Sequence, residues 1–274
     1  MTELELQHLR RDKWRLEGEP LRTFEDVRQF VSSVGLLLVF PVRPMPLLPT
    51  LLAACLGTDR RLPERKQAFA DPRAREAQDF AAMLLRDKIA FAGQLQGELL
   101  LVSGEVFPFY YALISDRKPK EPLRSRSREK ASPLSEHVFR TLEKSGPLTS
   151  AELRDKLGGA LSETALDRAL QELAAGLKIA QTEPAANGAA KWDLLVRWAS
   201  EQVAQGIRIS DAEALSALLS KYLDSVVAAT QEEIENFFSN FASRSRVAEV
   251  VRALLSAREF AYTPSESRTL LTVA

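Results

Sequence analysis

The chain has 274 residues, 45% of them hydrophobic and 27% charged, which is ordinary for a globular protein of about two domains. Lys and Arg together number 37, as do Asp and Glu, so any nucleic-acid contact must come from local clusters of basic residues. The single cysteine, Cys55, excludes an intramolecular disulfide, and with only two histidines we expect no metal site.

The first third of the chain predicts an extension followed by a helical unit. Residues 1–22 form a charged N-terminal extension that we expect to be loosely held, without the apolar core of a secretory signal. Thr23 and Asp26 resemble a capping box that opens a helix, after which an apolar run extends from Leu36 to Phe40. Two more helices, a hairpin and a last helix follow, and we interpret residues 23–116 as a first winged-helix-like unit.

Residues 117–132 are predicted to be a basic linker, because two prolines and alternating serines argue against packed structure. Between 117 and 130 the segment has a net charge of +5, the most basic stretch of the chain. Arg124, Arg126 and Arg128 are therefore candidate phosphate contacts. The alternative is an ordinary flexible, solvated linker.

The rest of the chain repeats one pattern at an offset of 81 residues. The capping box Thr149-x-x-Glu152 recurs as Thr230-x-x-Glu233, and the apolar positions of the following helices recur with it. Such a repeat indicates a duplicated supersecondary unit. The order of helices and hairpin is typical of a winged helix.

We therefore predict a second winged helix over residues 133–209 and a third over residues 210–274. The predicted fold class is mainly α-helical with small β-hairpin wings, in three tandem winged-helix (helix-turn-helix) units.

The third helix of each unit decides whether that copy can meet DNA, because this helix enters the major groove in helix-turn-helix proteins. In the second unit it carries a net charge of −2 between 162 and 175, which phosphates would repel. In the third unit it carries +3 between 243 and 258. Its candidate DNA-binding residues, which could hold phosphates near a helix N-terminus, are Ser243, Arg244, Ser245, Arg246 and Arg252. The alternative is a solvated helix face with local ion pairs such as Arg246 with Glu249.

Three features of the sequence resemble those of one protein family. They are the order of the units, the segment Gly35-Leu36-Leu37-Leu38-Val39-Phe40-Pro41, and the opening of the last unit, Ala217-Leu218…Tyr222-Leu223…Thr230. From about Phe24 onward the chain resembles the AlkZ and YcaQ type of bacterial DNA glycosylase. The resemblance implies tandem winged helices around a DNA-sized concave surface, and a role in DNA repair.

Those enzymes carry a glutamine-apolar-glutamine or glutamine-apolar-aspartate triplet after the first helix, whose polar side chains hold the attacking water. In the matching segment of this chain, Leu37 and Val39 stand at the polar positions. The resemblance therefore implies that the known chemistry is absent, and we assign no catalytic residue. A literal triplet, Gln94-Leu95-Gln96, occurs in a predicted turn, where coincidence explains it.

We expect a DNA-binding tandem winged-helix protein, related to DNA repair glycosylases, that contacts duplex or damaged DNA mainly through phosphates. One alternative is an active glycosylase that excises alkylated or crosslinked bases. Another is a winged-helix scaffold or regulator that binds protein, which the zero net charge favours. We expect a cytoplasmic location, no membrane contact and no cofactor, because the apolar stretches are short and no phosphate-binding loop is present.

Overall fold

The computed structural model describes residues 1–60, 62, 71–123, 132–159, 161–183, 190–265 and 268–274. Within these ranges helices predominate and the strands form small antiparallel sheets, so the predicted mainly α-helical class is confirmed. None of the described helices is long and apolar enough to cross a bilayer. The described residues also contain no group of three or more side chains suited to hold a metal ion.

Helices and short strands follow one another along the described chain. The described helices are α1 (Glu3–Lys13), α2 (Phe24–Val34), α3 (Leu51–Leu56), α4 (Pro72–Arg86), α5 (Phe107–Ile114), α6 (Pro133–Ser145), α7 (Ser150–Lys156), α8 (Glu163–Ala175), α9 (Leu195–Trp198), α10 (Ser200–Arg208), α11 (Asp211–Val226), α12 (Gln231–Phe238) and α13 (Arg244–Ser256). The described strands are β1 (Leu36–Leu38), β2 (Ala90–Leu95), β3 (Glu98–Ser103), β4 (Leu148–Thr149), β5 (Ile179–Glu183), β6 (Lys191–Leu194), β7 (Phe260–Pro264) and β8 (Thr269–Val273). Their sheet orders are β1-β3-β2, β4-β6-β5 and β7-β8.

The N-terminal extension is not loosely held, contrary to our expectation, because helix α1 is docked on the C-terminal part of the chain. Thr2 and Glu5 form a capping box, in which the Glu5 carboxylate accepts from the Thr2 amide at 2.7 Å. Leu6 is fully buried beside Ala228 and Leu270. The residues that make apolar contact with α1 lie more than 200 positions away in the sequence. The charged composition of the extension therefore did not indicate that it is docked.

Helix α1 also satisfies carbonyl groups at the end of α11, which have no partner within their own helix. The Arg10 guanidinium donates to the carbonyl of Val226 at 2.8 Å and to that of Ala228. The indole Nε1 of Trp14 donates to the carbonyl of Ser225 at 2.9 Å. The N-terminal helix is therefore held to the segment around the end of α11 by hydrogen bonds as well as by burial.

The 81-residue offset of the sequence recurs in the structure. Helices α8 and α13 begin and end at residues that differ by 81, and so do strands β5 and β7. Leu148 bridges to Trp192 just before α7, and the equivalent Ala229 bridges to Leu271 just before α12. Both segments thus follow the order helix, β-bridge, helix, helix and hairpin, which is the order expected of a winged helix.

The buried side chains form a core that connects distant parts of the chain. One large cluster joins residues of the first hairpin and α5, such as Phe91 and Tyr111, to residues of α11 and α12, such as Tyr222 and Phe238. Helices α6 to α8 have their own cluster around Phe139 and Leu170. Helix α10 rests directly on α5, because a Cβ at Gly206 would lie only 2.8 Å from the carbonyl oxygen of Pro108.

Candidate nucleic-acid interface

Helix α13 buries one apolar face and presents its basic residues to solvent. The buried face consists of Val247, Val250, Val251 and Leu254. Arg244, Arg246 and Arg252 are exposed, together with Ser243 and Ser245. The structure therefore brings five of the predicted site residues together on the outer surface of one helix.

The first turn of α13 lacks the side-chain cap that its counterpart α8 has. In α8, the Ser162 hydroxyl accepts from the amide of Ala165 at 3.2 Å. At the equivalent position the Ser243 hydroxyl makes no capping hydrogen bond and lies 3.2 Å from the hydroxyl of Ser245. The first amides of a helix have no partner within the helix, so those of α13 stay available to an anion.

The arginine side chains of α13 make few hydrogen bonds within the protein. Arg244 donates from Nη2 to the Oδ1 of Asn236 on α12 at 2.6 Å, and this contact is exposed. Arg252 donates from Nε to the carbonyl of Ala248 at 3.3 Å. Arg246 makes no hydrogen bond or ion pair with any described residue. Since a guanidinium carries five N–H donors, each of these side chains keeps most of them free for phosphate oxygens.

Helix α8 has the opposite character. Glu163 and Asp167 are exposed on its outer surface. The Glu172 carboxylate accepts from the amide of Ser132 at 2.9 Å and from its hydroxyl at 2.7 Å, which ties α8 to the start of α6. The exposed acidic side chains of α8 would repel phosphates, and Glu172 has a structural role. We therefore expect α8 to pack within the protein rather than to contact DNA.

Arg124, Arg126 and Arg128 lie outside the described residues, but the segments on either side of them are anchored near α8. On one side, the buried Lys178 ammonium donates to Asp116 Oδ1 at 2.7 Å and to the carbonyl of Lys118 at 2.8 Å. Burial lowers the pKa of Lys178, and the hydrogen bond with Asp116 opposes that shift. On the other side, Ser132 is held by α8 through its amide and its hydroxyl.

A cleft of about 1070 Å³ lies between α1, the segment 41–48, the β2–β3 turn and the start of α12. The indole of Trp14 lines it, together with the carboxylates of Asp59, Glu98 and Glu233. Asp59 pairs with Arg11 at 3.0 Å, and Glu233 pairs with Arg268 at 3.2 Å. At least two of the three carboxylates are therefore already neutralised within the protein.

Similarity to known proteins relates this chain to a family. The family model "DNA glycosylase AlkZ-like" matches residues 73–274. The chain belongs to the AlkZ-like DNA glycosylase family. Membership relates it to DNA repair glycosylases and implies DNA as its partner.

Among solved structures, the Streptomyces sahachiroi DNA glycosylase AlkZ is similar, with a TM-score of 0.63 at 15% sequence identity. The alignment covers 100% of this chain and 70% of that chain. At that identity the likeness shows the fold. No curated protein sequence matches the chain.

The segment 35–41, which the sequence resemblance matched to the catalytic triplet, is part of the core in this AlkZ-like chain. Leu37 is fully buried and Val39 is 3% exposed, and both pack in the cluster that contains Val31, Leu52 and Leu101. Neither side chain lines the cleft. Apolar side chains in this position cannot orient a water or stabilise positive charge.

The literal glutamine triplet does not form a catalytic pair either. Gln94 lines a second, smaller cavity. Gln96 lines the cleft beside Trp14. The cause is local backbone geometry: Gln96 has a φ of 53° in the β2–β3 turn, which breaks the alternation of strand side chains.

Proposed function

We propose that this AlkZ-like protein binds duplex or damaged DNA mainly through phosphates, with the first turn of α13 as the principal contact. The observation that carries the proposal is the exposed Arg244 and Arg246 beside helix amides that have no side-chain cap. Amides, hydroxyls and guanidinium groups at one helix end together suit a phosphate. Family membership supports DNA as the partner.

The proposal includes the division of the chain into units. Residues 23–116, 133–209 and 210–274 would be three winged helices, preceded by the extension 1–22 and interrupted by the basic linker 117–132. The matched boundaries of α8 and α13 support the last two units. Arg124, Arg126 and Arg128 would add phosphate contacts from the linker.

The test is a titration of fluorescein-labelled duplex, single-stranded and branched DNA by fluorescence anisotropy at several salt concentrations. Each neutralised phosphate of duplex DNA contributes a slope of about −0.9 to log K against log salt. We expect Arg244→Ala plus Arg246→Ala to weaken binding to all sequences alike. The slope should shrink by about one for each phosphate that the variant no longer neutralises.

The matched control removes the same charge elsewhere, through Arg28→Ala plus Arg168→Ala, both exposed on other helices. We expect the control to retain the wild-type slope apart from a small general effect. If DNA does not bind at low salt, or if the control weakens binding as much as the α13 variant, the proposal is wrong. A stable protein partner combined with absent DNA binding would favour an interaction scaffold.

Base excision is the second candidate function, and the observation that favours it is membership of the AlkZ-like family. An abasic-site assay on alkylated and crosslinked duplexes tests it directly. Strand cleavage after alkaline treatment would show excision by residues other than Leu37 and Val39. If no substrate of the panel yields abasic sites, the protein binds DNA without this chemistry.

A further inference from the structure

The outer surface of α13 has a central row of side chains directly opposite its buried face. Because a helix turns ~100° per residue, the positions farthest from that buried face recur every three or four residues. The central row consists of four exposed residues, Ser245, Glu249, Arg252 and Ser256. Arg244 and Arg246 come directly before and after Ser245, so they project roughly 100° to either side of the row. The helix therefore has a cation on each flank and both an acid and a base in the middle.

Glu249 is a negative charge in the middle of this basic surface. The sequence offers Arg246 as its i,i+3 partner, but the two side chains form no ion pair in the structure. The Glu249 carboxylate accepts no hydrogen bond within the described part of the chain, and Arg252 donates to the carbonyl of Ala248. A carboxylate at this place repels phosphates, so it weakens any contact that uses the DNA backbone alone. It is favourable only where the DNA presents a hydrogen-bond donor.

The dimensions of α13 suit the major groove of duplex DNA. A helix with its side chains is about 10–12 Å across, and the groove is about 12 Å wide. With Arg244 and Arg246 each facing one strand, the central row faces the floor of the groove, where the base edges lie. Glu249 and Arg252 are ~4.5 Å apart along the helix axis, close to the ~3.4 Å spacing of base pairs. The two side chains therefore meet neighbouring base pairs.

Helix α8 lacks this arrangement, although it corresponds to α13 at the 81-residue offset. The positions that correspond to the flanking arginines hold Glu163 and Ala165. The position that corresponds to Glu249 holds Arg168. Of these two copies, α13 is the one with an acid between two cations.

We propose that α13 reads base sequence in the major groove, with Glu249 accepting from the amino group of a cytosine and Arg252 donating to a guanine of a neighbouring pair. Cytosine presents a donor alone in this groove, whereas adenine presents its amino group beside the N7 acceptor, which repels a carboxylate. Guanine presents two acceptors, O6 and N7, that match the fork of a guanidinium. This inference rests on the proposed function, to which it adds the class of duplex that binds.

The first measurement selects binding sequences for the full chain from a library of duplexes with a randomised centre. We expect enrichment of cytosine and guanine in neighbouring base pairs. Replacing the cytosine pair by a thymine pair should weaken binding about tenfold. Binding that enriches no sequence, or enriches sequences without this pair of bases, would refute the readout and leave the phosphate contact intact. Absent DNA binding at low salt would refute the proposed function, and the readout with it.

Substitutions of Glu249 separate readout from a structural role. Glu249→Gln should shift the preference at that base pair from cytosine to adenine, because an amide both accepts and donates. Glu249→Ala should lose the preference and bind random duplex DNA more tightly at low salt, since a charge that repels phosphates is gone. Glu136→Ala, which removes an exposed carboxylate from α6, is the matched control and should change neither property. If Glu249→Ala keeps the wild-type preference, Glu249 does not read the base.

Modified duplexes test the two hydrogen bonds one at a time. N4-methylcytosine keeps its base pair but lacks the amino hydrogen that points into the major groove, and 7-deazaguanine lacks the N7 acceptor. We expect the first to weaken wild-type binding about tenfold and to leave Glu249→Ala unaffected. The second should weaken the wild type and leave Arg252→Ala unaffected. Equal effects on the wild type and the corresponding variant would show that the hydrogen bond is not made.

Discussion

The ion pair between Lys178 and Asp116 should make the stability of this protein unusually sensitive to one carboxylate. The Lys178 side chain is 1% exposed and that of Asp116 is 12% exposed, with 2.7 Å between Nζ and Oδ1. Asp116→Ala leaves a buried ammonium with one carbonyl oxygen, that of Lys118, as its acceptor. Breaking a buried pair from one side costs ~3–5 kcal/mol of unfolding free energy.

Replacing both partners should cost much less. Lys178→Met plus Asp116→Asn removes both charges, and the methionine keeps a straight apolar chain in the same space. Lys178→Met alone would instead leave the Asp116 carboxylate, which is 12% exposed and has a buried Oδ2, without its ammonium. We therefore expect a loss of about 1 kcal/mol for the double variant, because replacing a buried ion pair by uncharged side chains of similar volume is often nearly neutral.

Thermal and urea unfolding at pH 7 measure the difference. At about 2 °C per kcal/mol for a chain of this size, Asp116→Ala should lower the Tm by ~6–10 °C and the double variant by ~2 °C. If Asp116→Ala costs no more than the double variant, the buried ammonium does not depend on this carboxylate.

The pH dependence gives an independent check. Burial lowers the pKa of Lys178 from 10.5, so above its folded-state value the unfolded chain binds more protons and the unfolding free energy rises with pH. Removing Asp116 lowers that pKa further. The deficit of Asp116→Ala should therefore shrink as the pH rises from 7 towards 10, and a constant or growing deficit would contradict this reasoning.

Two further outcomes are expected. Arg10→Ala should cost ~1–3 kcal/mol in urea unfolding, because the carbonyl of Ala228 loses its donor while that of Val226 keeps the amide of Ala228 at 2.8 Å. Arg28→Ala, with its exposed pair to Glu25, should change stability by less than ~0.5 kcal/mol, and equal losses would mean that α1 is not docked. Burial raises the pKa of Cys55 to about 12. A disulfide reagent at pH 8 should therefore label this thiol slowly in the native protein and rapidly in denaturant. Fast labelling of the native protein would show that the thiol is accessible.

Local signals made the helical units predictable. A capping box joins residues three positions apart, so Thr149 with Glu152 and Thr230 with Glu233 could be identified from sequence, and both boxes form. The same signal was present at Thr2 and Glu5. It was missed because the segment is charged and its buried partners lie at the other end of the chain.

The sequence by itself determined the mainly helical class, the 81-residue repeat and the basic outer face of α13, because hydrogen bonds within four residues and the helical period set these features. Only the tertiary structure decided that the Ser243 hydroxyl leaves the first amides of α13 without a side-chain cap although Ser162 caps its own helix. It alone decided that Gln94 and Gln96 line different cavities. Cavities and buried charges arise where segments that are distant in sequence pack together. Local sequence patterns do not determine the energy of that packing.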